Sequence, residues 1–155
     1  MAKVPYTPTG YHTVTPYLAV RDAVAAVEFY RRAFGAELAL KLTMPDGKFA
    51  HAEIKIGDCH IMMAEENPEW GNRSPQSLGG SPVSFMVYVP DADAAFARAL
   101  AAGCTQVRPV ADQFYGDRTG TLKDPYGYQW SIGTHIEDVS EAEGQKRMEA
   151  EFAKS

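Results

Sequence analysis

Three features of the sequence predict an α+β fold: two βαβββ units in tandem, followed by a C-terminal helix. First, residues 15–33, TPYLAVRDAVAAVEFYRRA, are repeated at a constant offset by residues 84–102, SFMVYVPDADAAFARALAA. Thr15 falls on Ser84, Leu18 on Val87, Val20 on Val89, Asp22 on Asp91 and Val27 on Phe96. A period near half the chain length marks duplication of a supersecondary unit. Second, each copy runs from a β stretch through an aspartate into an alanine-rich amphipathic helix, with three further β stretches behind it. Third, Ser140-Glu141-Ala142-Glu143 has the spacing of a capping box opening a charged helix. The chain is therefore read as a single domain, 1–155, with units at 12–66 and 83–136, a connecting loop at 67–82 and a helical tail at 137–155. A ligand cavity is expected between the halves.

Composition narrows the partners. A formal charge of −5 and the absence of a Lys/Arg stripe argue against nucleic acid and anionic membrane surfaces, whose binders are strongly basic. Neither a charged-then-apolar leader nor a long apolar run is visible, so a cytoplasmic location is expected. Cys59 and Cys104 suit that compartment as free thiols. Cys104, directly after Gly103, reads as buried filler.

The elements follow in order. Residues 1–12, with three prolines, read as an irregular arm. Residues 14–20 alternate, and Pro16, lacking a donor, places that strand at an edge. Asp22 is the expected N-cap of a helix to about residue 34, and Gly35 ends it. Strands are expected at 38–43, Phe49–Ile56 and Cys59–Glu65. Gly57-Asp58 is a two-residue loop of type II′ character, and it fixes the register: Ile56 opposite Cys59, Lys55 opposite His60, Ile54 opposite Ile61, Glu53 opposite Met62. Ala50, Ala52, Ile54 and Ile56 then share a helix-packed face; His51, Glu53, Lys55, His60 and Met62 share the other. Residues 67–82, rich in Pro, Gly and Ser, form a long connector in which Trp70 either closes over a ligand or pins the loop.

The second unit repeats the plan. Strands are expected at 83–89, 105–111, 114–122 and 128–133, a helix at 91–102, and a turn at Asp124-Pro125-Tyr126-Gly127. The terminal helix, running to about residue 153 with few apolar residues, is expected at the periphery. His12 and His135 lie outside the repeat cores and read as structural.

The paired units, the aspartate-led helices, and the stretches HAEIKIGD, RSPQSLGG and QFYGDRTGTLKDPYGYQW resemble the vicinal-oxygen-chelate superfamily over about residues 12–136. That superfamily contains glyoxalases, extradiol dioxygenases, fosfomycin-resistance transferases and bleomycin-binding proteins; the chain looks most similar to a PhnB-like branch. The resemblance implies a curved mixed sheet around a concave cup, a symmetric homodimer, and, in its metalloenzymes, a divalent ion held from the first and last strands of each unit. Carried over, those positions are Thr15, Met62, Ser84 and Ser131, and none is His, Glu or Asp. Hydroxyls and a thioether do not hold a hard or borderline cation, so no cofactor is expected. His51 and Glu53, two apart on one strand, leave a weak two-ligand site with waters open beside a plain His–Glu hydrogen bond.

With that geometry, the cup is expected to be lined by Tyr17, Tyr88 and Tyr115, by Met62 and Met86, by Thr15, Ser84 and Ser131, and by His51, Glu53, Arg118 and Gln129. Such walls suit a small hydrophobic or aromatic ligand. Glu53, beside His51, is the expected general base if there is turnover, and Arg118 the clamp for an anion or carbonyl unless it pairs with Asp117. Two functions follow: metal-free small-molecule binding, or a lyase, isomerase or transferase using Glu53 and His51.

Overall fold

Asp22 and Asp91 start the two long helices in the same way. Each sits in extended backbone and accepts from the amide three residues on, Ala25 N to Asp22 Oδ1 at 2.9 Å and Ala94 N to Asp91 Oδ1 at 3.0 Å. These bonds satisfy amides that a helix start leaves orphaned. The last strand of each unit supplies a second cap: Ala23 N donates to Glu65 Oε1 at 2.8 Å, and Ala92 N to Thr134 Oγ1 at 2.9 Å. The helices α1 (Ala23–Phe34) and α3 (Ala92–Ala102) end at Gly35 and Gly103, whose positive φ closes the last turn.

The computed structural model describes residues 3–154; Met1 and Ala2 of the expected arm and Ser155 of the expected tail lie outside the described residues. Contacts divide the chain into two units, one ending at Ser81 and the other beginning at Pro82. In the first, β1 (Tyr17–Val20), β2 (Glu37–Thr43), β3 (Phe49–Ile56) and β4 (Cys59–Glu65) form a four-stranded sheet in the order β1-β4-β3-β2. In the second, β5 (Ser84–Tyr88), β6 (Thr105–Asp112), β7 (Asp117–Lys123) and β8 (Gln129–His135) take the equivalent order β5-β8-β7-β6. In both, the first strand runs parallel to the last and the other pairs are antiparallel. The α+β fold of two βαβββ units with a C-terminal helix, α4 (Glu141–Phe152), is therefore present.

Each sheet carries its helix on one face only. In the first unit Ala26, Val27, Phe29, Tyr30 and Ala33 of α1 bury against Ala52, Ile54, Ile61 and Met63. In the second, Phe96 and Ala99 of α3 lie over Leu122, Trp130 and Ile132. Gly120 makes this seat possible, since a Cβ there would meet Phe96 Cε2 at 2.6 Å. The even-numbered residues of β7 thus face the helix. The odd-numbered ones face away.

Several boundaries differ from the sequence expectation. β1 begins at Tyr17 rather than residue 14, because Pro16 has no amide to pair; its carbonyl still accepts from Met62 N at 2.9 Å, and β1 lies at the sheet edge. Ala50 is exposed and Phe49 buried, the reverse of strict alternation, at a register shift where Leu42 opposes His51 and Thr43 opposes Phe49. β7 starts at Asp117, not residue 114, because residues 113–116 turn, with Gly116 N donating to the Gln113 carbonyl at 3.1 Å. The Gly57-Asp58 register is as read, Glu53 opposite Met62 and Lys55 opposite His60.

The connector is ordered by Glu66. Its carboxylate accepts from Ser74 N at 2.9 Å, Ser77 Oγ at 2.7 Å and Arg21 Nε at 3.2 Å, and these donors, the Ser74 amide foremost, hold it down to about 2. Trp70 does not pin the loop, being 84% exposed. A short helix, α2 (Pro75–Leu78), follows from the Ser74 cap. In the tail, Ser140 caps α4 through Glu143 N at 3.2 Å, but the Glu143 carboxylate binds Arg147 Nε at 2.9 Å, so only half of the capping box forms. Arg147 also donates to Glu137 and to the Phe114 carbonyl, tying the otherwise unburied α4 down.

Candidate functional site

The sheet face opposite α1 gathers Tyr17, His51, Glu53 and Met62. The tight Gly57-Asp58 turn sets β3 against β4 so that Glu53 stands between Met62 on one side and Leu40 of β2 on the other. Two residues along β3 on the same face, His51 turns toward it, with Nε2 2.9 Å from Glu53 Oε1. The Tyr17 hydroxyl lies 2.8 Å from His51 Nδ1. A carboxylate only accepts, so Nε2 carries the hydrogen in the bond to Glu53. The result is a chain of hydrogen bonds linking the Tyr17 hydroxyl, the imidazole and Glu53. Glu53 is 7% exposed, and its Oε2 is a buried side-chain oxygen with no hydrogen-bond partner among the described residues. His60, the third polar group of this face, is taken elsewhere: it stacks on Tyr11 at 3.9 Å between ring centroids and its Nδ1 lies 3.0 Å from the Gly10 carbonyl.

The corresponding face of the second unit holds Ser84, Met86 and Tyr88 of β5 and Gln129 and Ser131 of β8. Ser84 pairs with Gln129 and Met86 with Ser131, whose Oγ is 3.2 Å from Thr121 Oγ1. Met86 lies across Gly133, where any Cβ would collide with its terminal methyl group. Tyr115, in the turn before β7, brings its hydroxyl to 3.5 Å from Thr119 Oγ1. Arg118 is not among them. Its even-numbered position turns it to the α3 side, where it donates to Asp93 at 2.7 and 3.0 Å and to Asp112 at 2.8 Å. Those carboxylates hold its pKa above the ordinary arginine value, and the bond from Arg118 in turn lowers that of Asp93. The expected anion clamp is thus a strut between β7, β6 and α3, and the expected Asp117–Arg118 pair does not form.

Asp117 instead anchors a network that the sequence reading missed. Only 5% exposed, it accepts from the Tyr88 hydroxyl at 2.7 Å and from His135 Nδ1 at 2.7 Å, while His135 Nε2 reaches Asp138 at 2.8 Å. Burial pushes the Asp117 carboxyl up, but the bonds from His135 and Tyr88 outweigh it and leave it below the ordinary value. Asp138 and then Asp117 raise the His135 pKa, and the bond to Asp117 raises that of Tyr88. His135 therefore is a structural histidine, as read. Starting β7 at the Gly116 turn would have put Asp117, Thr119 and Thr121 on this face. Leu40 was missed because β2 is displaced by one residue between Leu38 and Leu40.

The sequence profile of the Glyoxalase/Bleomycin resistance protein/Dioxygenase superfamily matches residues 10–132. The chain belongs to this superfamily. It is 40% identical over 141 residues to the uncharacterized protein Mb0911c of Mycobacterium bovis, covering 89% of this chain and 93% of that protein. It is equally similar to the uncharacterized protein Rv0887c of Mycobacterium tuberculosis, with 83% of that protein covered. Among solved structures, TioX from Micromonospora sp. ML1 superposes with a TM-score of 0.63 at 26% identity, over 83% of this chain and 100% of TioX. The Arabidopsis thaliana gene product At5g48480 gives 0.64 at 26% identity, over 78% of this chain and 97% of its own.

The positions onto which the family resemblance carries a divalent ion are Thr15, Met62, Ser84 and Ser131. These residues offer hydroxyl and thioether groups, and the Ser131 hydroxyl already faces that of Thr121. Such a set does not fit a hard or borderline cation, which needs carboxylate or imidazole donors to replace its hydration. Among the described residues, the metal-ligating group whose donor atoms converge within 4.8 Å is His12, Asp58 and Cys59, all exposed at the tip of the β3–β4 hairpin. Burial raises the Cys59 thiol pKa, with Asp58 adding to it, which disfavours the thiolate a metal would need. No described helix is long and apolar enough to cross a membrane.

Proposed function

We propose that the protein binds a small hydrophobic or aromatic molecule on the sheet faces that carry no helix, without a resident metal ion. The observation that carries this reading is the state of three tyrosines. Tyr17 is 54% exposed, Tyr88 62% and Tyr115 46%, yet the hydroxyl of each is directed back at the sheet, to His51, Asp117 and Thr119. Each therefore presents a ring face with its orientation already fixed, and a ligand stacking there pays little further side-chain entropy. The thioethers of Met62 and Met86 add soft, adaptable contact beside them. Ser84, Gln129 and Ser131 supply polar groups for orientation. Placement in a PhnB-like branch, a symmetric dimer and a cytoplasmic location belong to the same proposal.

The test is a thermal-shift screen of a small-molecule library on chelator-treated protein, since a ligand that binds only the folded state raises the apparent melting temperature. A hit should bind stoichiometrically, and Tyr17→Ala for a ligand mapped to the first unit, or Tyr88→Ala for one mapped to the second, should weaken it by roughly five- to tenfold, the worth of one aromatic contact. If no aromatic compound stabilises the protein, the proposal fails. One observation supports a second reading, an isomerase, lyase or transferase. Glu53 has one oxygen held by His51 and the other buried without a hydrogen-bond partner among the described residues, which leaves that oxygen unspent for a general base. On that reading Glu53→Gln abolishes turnover of a screened substrate while the fold persists.

A further inference from the structure

The geometry points to an organic ammonium, an amine in its protonated form on an apolar body, as the ligand of the α1 unit, with an N–H donated to Glu53 Oε2; this rests on the small-molecule reading above. Four observations converge on it. First, His51 serves only Oε1 of the carboxylate, its Nε2 lying 2.9 Å away. The second carboxylate oxygen is buried and has no partner among the described residues, an arrangement that native structures rarely keep without a reason. Second, no Lys or Arg side chain pairs with Glu53 among the described residues; its one ion-pair contact there is with His51, which does not reach Oε2. The other charged groups of this face are turned elsewhere or distant. Lys55, two residues along β3, opposes Glu37 and His60 and makes no ion pair with Glu53 among the described residues. Lys41 pairs with Ala52 and so lies on the α1 side of the sheet, and His60 is held by Tyr11 and Gly10.

Third, the cross-strand neighbours of Glu53 are apolar. Leu40 and Met62 flank Glu53 across the sheet, with Leu40 42% exposed. Such walls suit a hydrocarbon body and offer no donor of their own. Fourth, the Tyr17 ring, held by its own hydroxyl bond and half-exposed, presents the electron-rich face to which a cation is attracted. A neutral hydroxyl would satisfy Oε2 but leave the charge unpaired, and an anion would add a like charge to a buried carboxylate. An ammonium satisfies both with one group, and the formal charge of −5 on the chain favours its approach.

The experiment uses the full chain and three naphthalene probes that differ only in their head: 2-naphthylmethylammonium, 2-naphthylmethanol and 2-naphthoate. Affinity is measured by calorimetry, and the site is mapped by amide chemical shifts in two-dimensional NMR spectra. The ammonium is expected to bind roughly tenfold tighter than the alcohol, the margin of a charge-assisted over a neutral hydrogen bond, and the carboxylate weakest. Shifts should concentrate in β3 and β4, and added salt should weaken the ammonium alone. Glu53→Gln, whose fold the same spectra report, should weaken the ammonium far more than the alcohol and so erase the preference between them. If the wild-type protein takes the alcohol as tightly as the ammonium, or if Glu53→Gln keeps the preference, the ammonium assignment is wrong while small-molecule binding stands. If none of the three probes binds, both fall.

Discussion

Replacing Glu53 by methionine should stabilise the protein while removing its ligand. The change deletes one hydrogen bond, from His51 Nε2 at 2.9 Å, but the His51 side chain is 20% exposed and water can take the vacated place. That loss is about 1 kcal/mol. Against it, the variant relieves a buried oxygen without a partner, worth about 1–3 kcal/mol. It also sets an apolar chain of similar length between Leu40 and Met62, at about 0.8 kcal/mol per methylene buried. The balance is a gain of about 1–2 kcal/mol. For a chain of 155 residues, each kcal/mol moves the melting temperature by about 2–4 °C, so a rise of roughly 3–6 °C is expected. Urea unfolding followed by circular dichroism should show a higher midpoint at unchanged slope. A variant less stable than wild type by more than about 1 kcal/mol would refute the reasoning, because it would mean that Glu53 holds the empty protein together instead of waiting for a ligand.

Three further outcomes follow from the same structure. The Asp117–His135 pair makes stability depend on pH: the depressed Asp117 contributes above its ordinary value of 3.8 and fades as pH falls through its folded pKa, whereas the raised His135 contributes below 6.5 and fades as pH rises through its own. Wild type should thus gain most between those values, and Asp117→Asn should flatten the profile measured by urea unfolding across pH. Asp124→Ala removes the acceptor for Tyr126 N, Tyr128 N and Trp130 Nε1 and strands the indole N–H in the core, costing about 2–4 kcal/mol; a loss under about 1 kcal/mol would contradict it. Arg118→Ala should lower the melting temperature but leave probe affinity unchanged, since its guanidinium serves Asp93 and Asp112; weaker binding in calorimetry would restore it as a ligand clamp.

What the sequence made legible was local chemistry repeated twice. Asp22 with Gly35, and Asp91 with Gly103, bound their helices because capping depends on residues within one turn. The Gly57-Asp58 loop fixed which side chains share a face because a two-residue turn permits one pairing. The errors lie where parity is set by something less local. Tyr115 and Arg118 were both expected in the cup, which strict alternation forbids within one strand; residues 113–116 turn before β7, and the alternation that follows gives the open face to Asp117 and the α3 side to Arg118. Shifts in β2–β3 pairing hid Leu40 and misplaced Ala50. The buried, unpartnered oxygen of Glu53 was beyond any sequence reading, since it depends on which Glu53 oxygen His51 engages.

The most direct test of the central claim is calorimetry of one aromatic ligand against the same protein in two states, stripped by chelator and reloaded with zinc, nickel or manganese. With elemental analysis alongside, the account predicts equal affinity and stoichiometry in both states and no ion that survives dialysis. Binding that appears only after reloading, with one ion retained per chain, would contradict it.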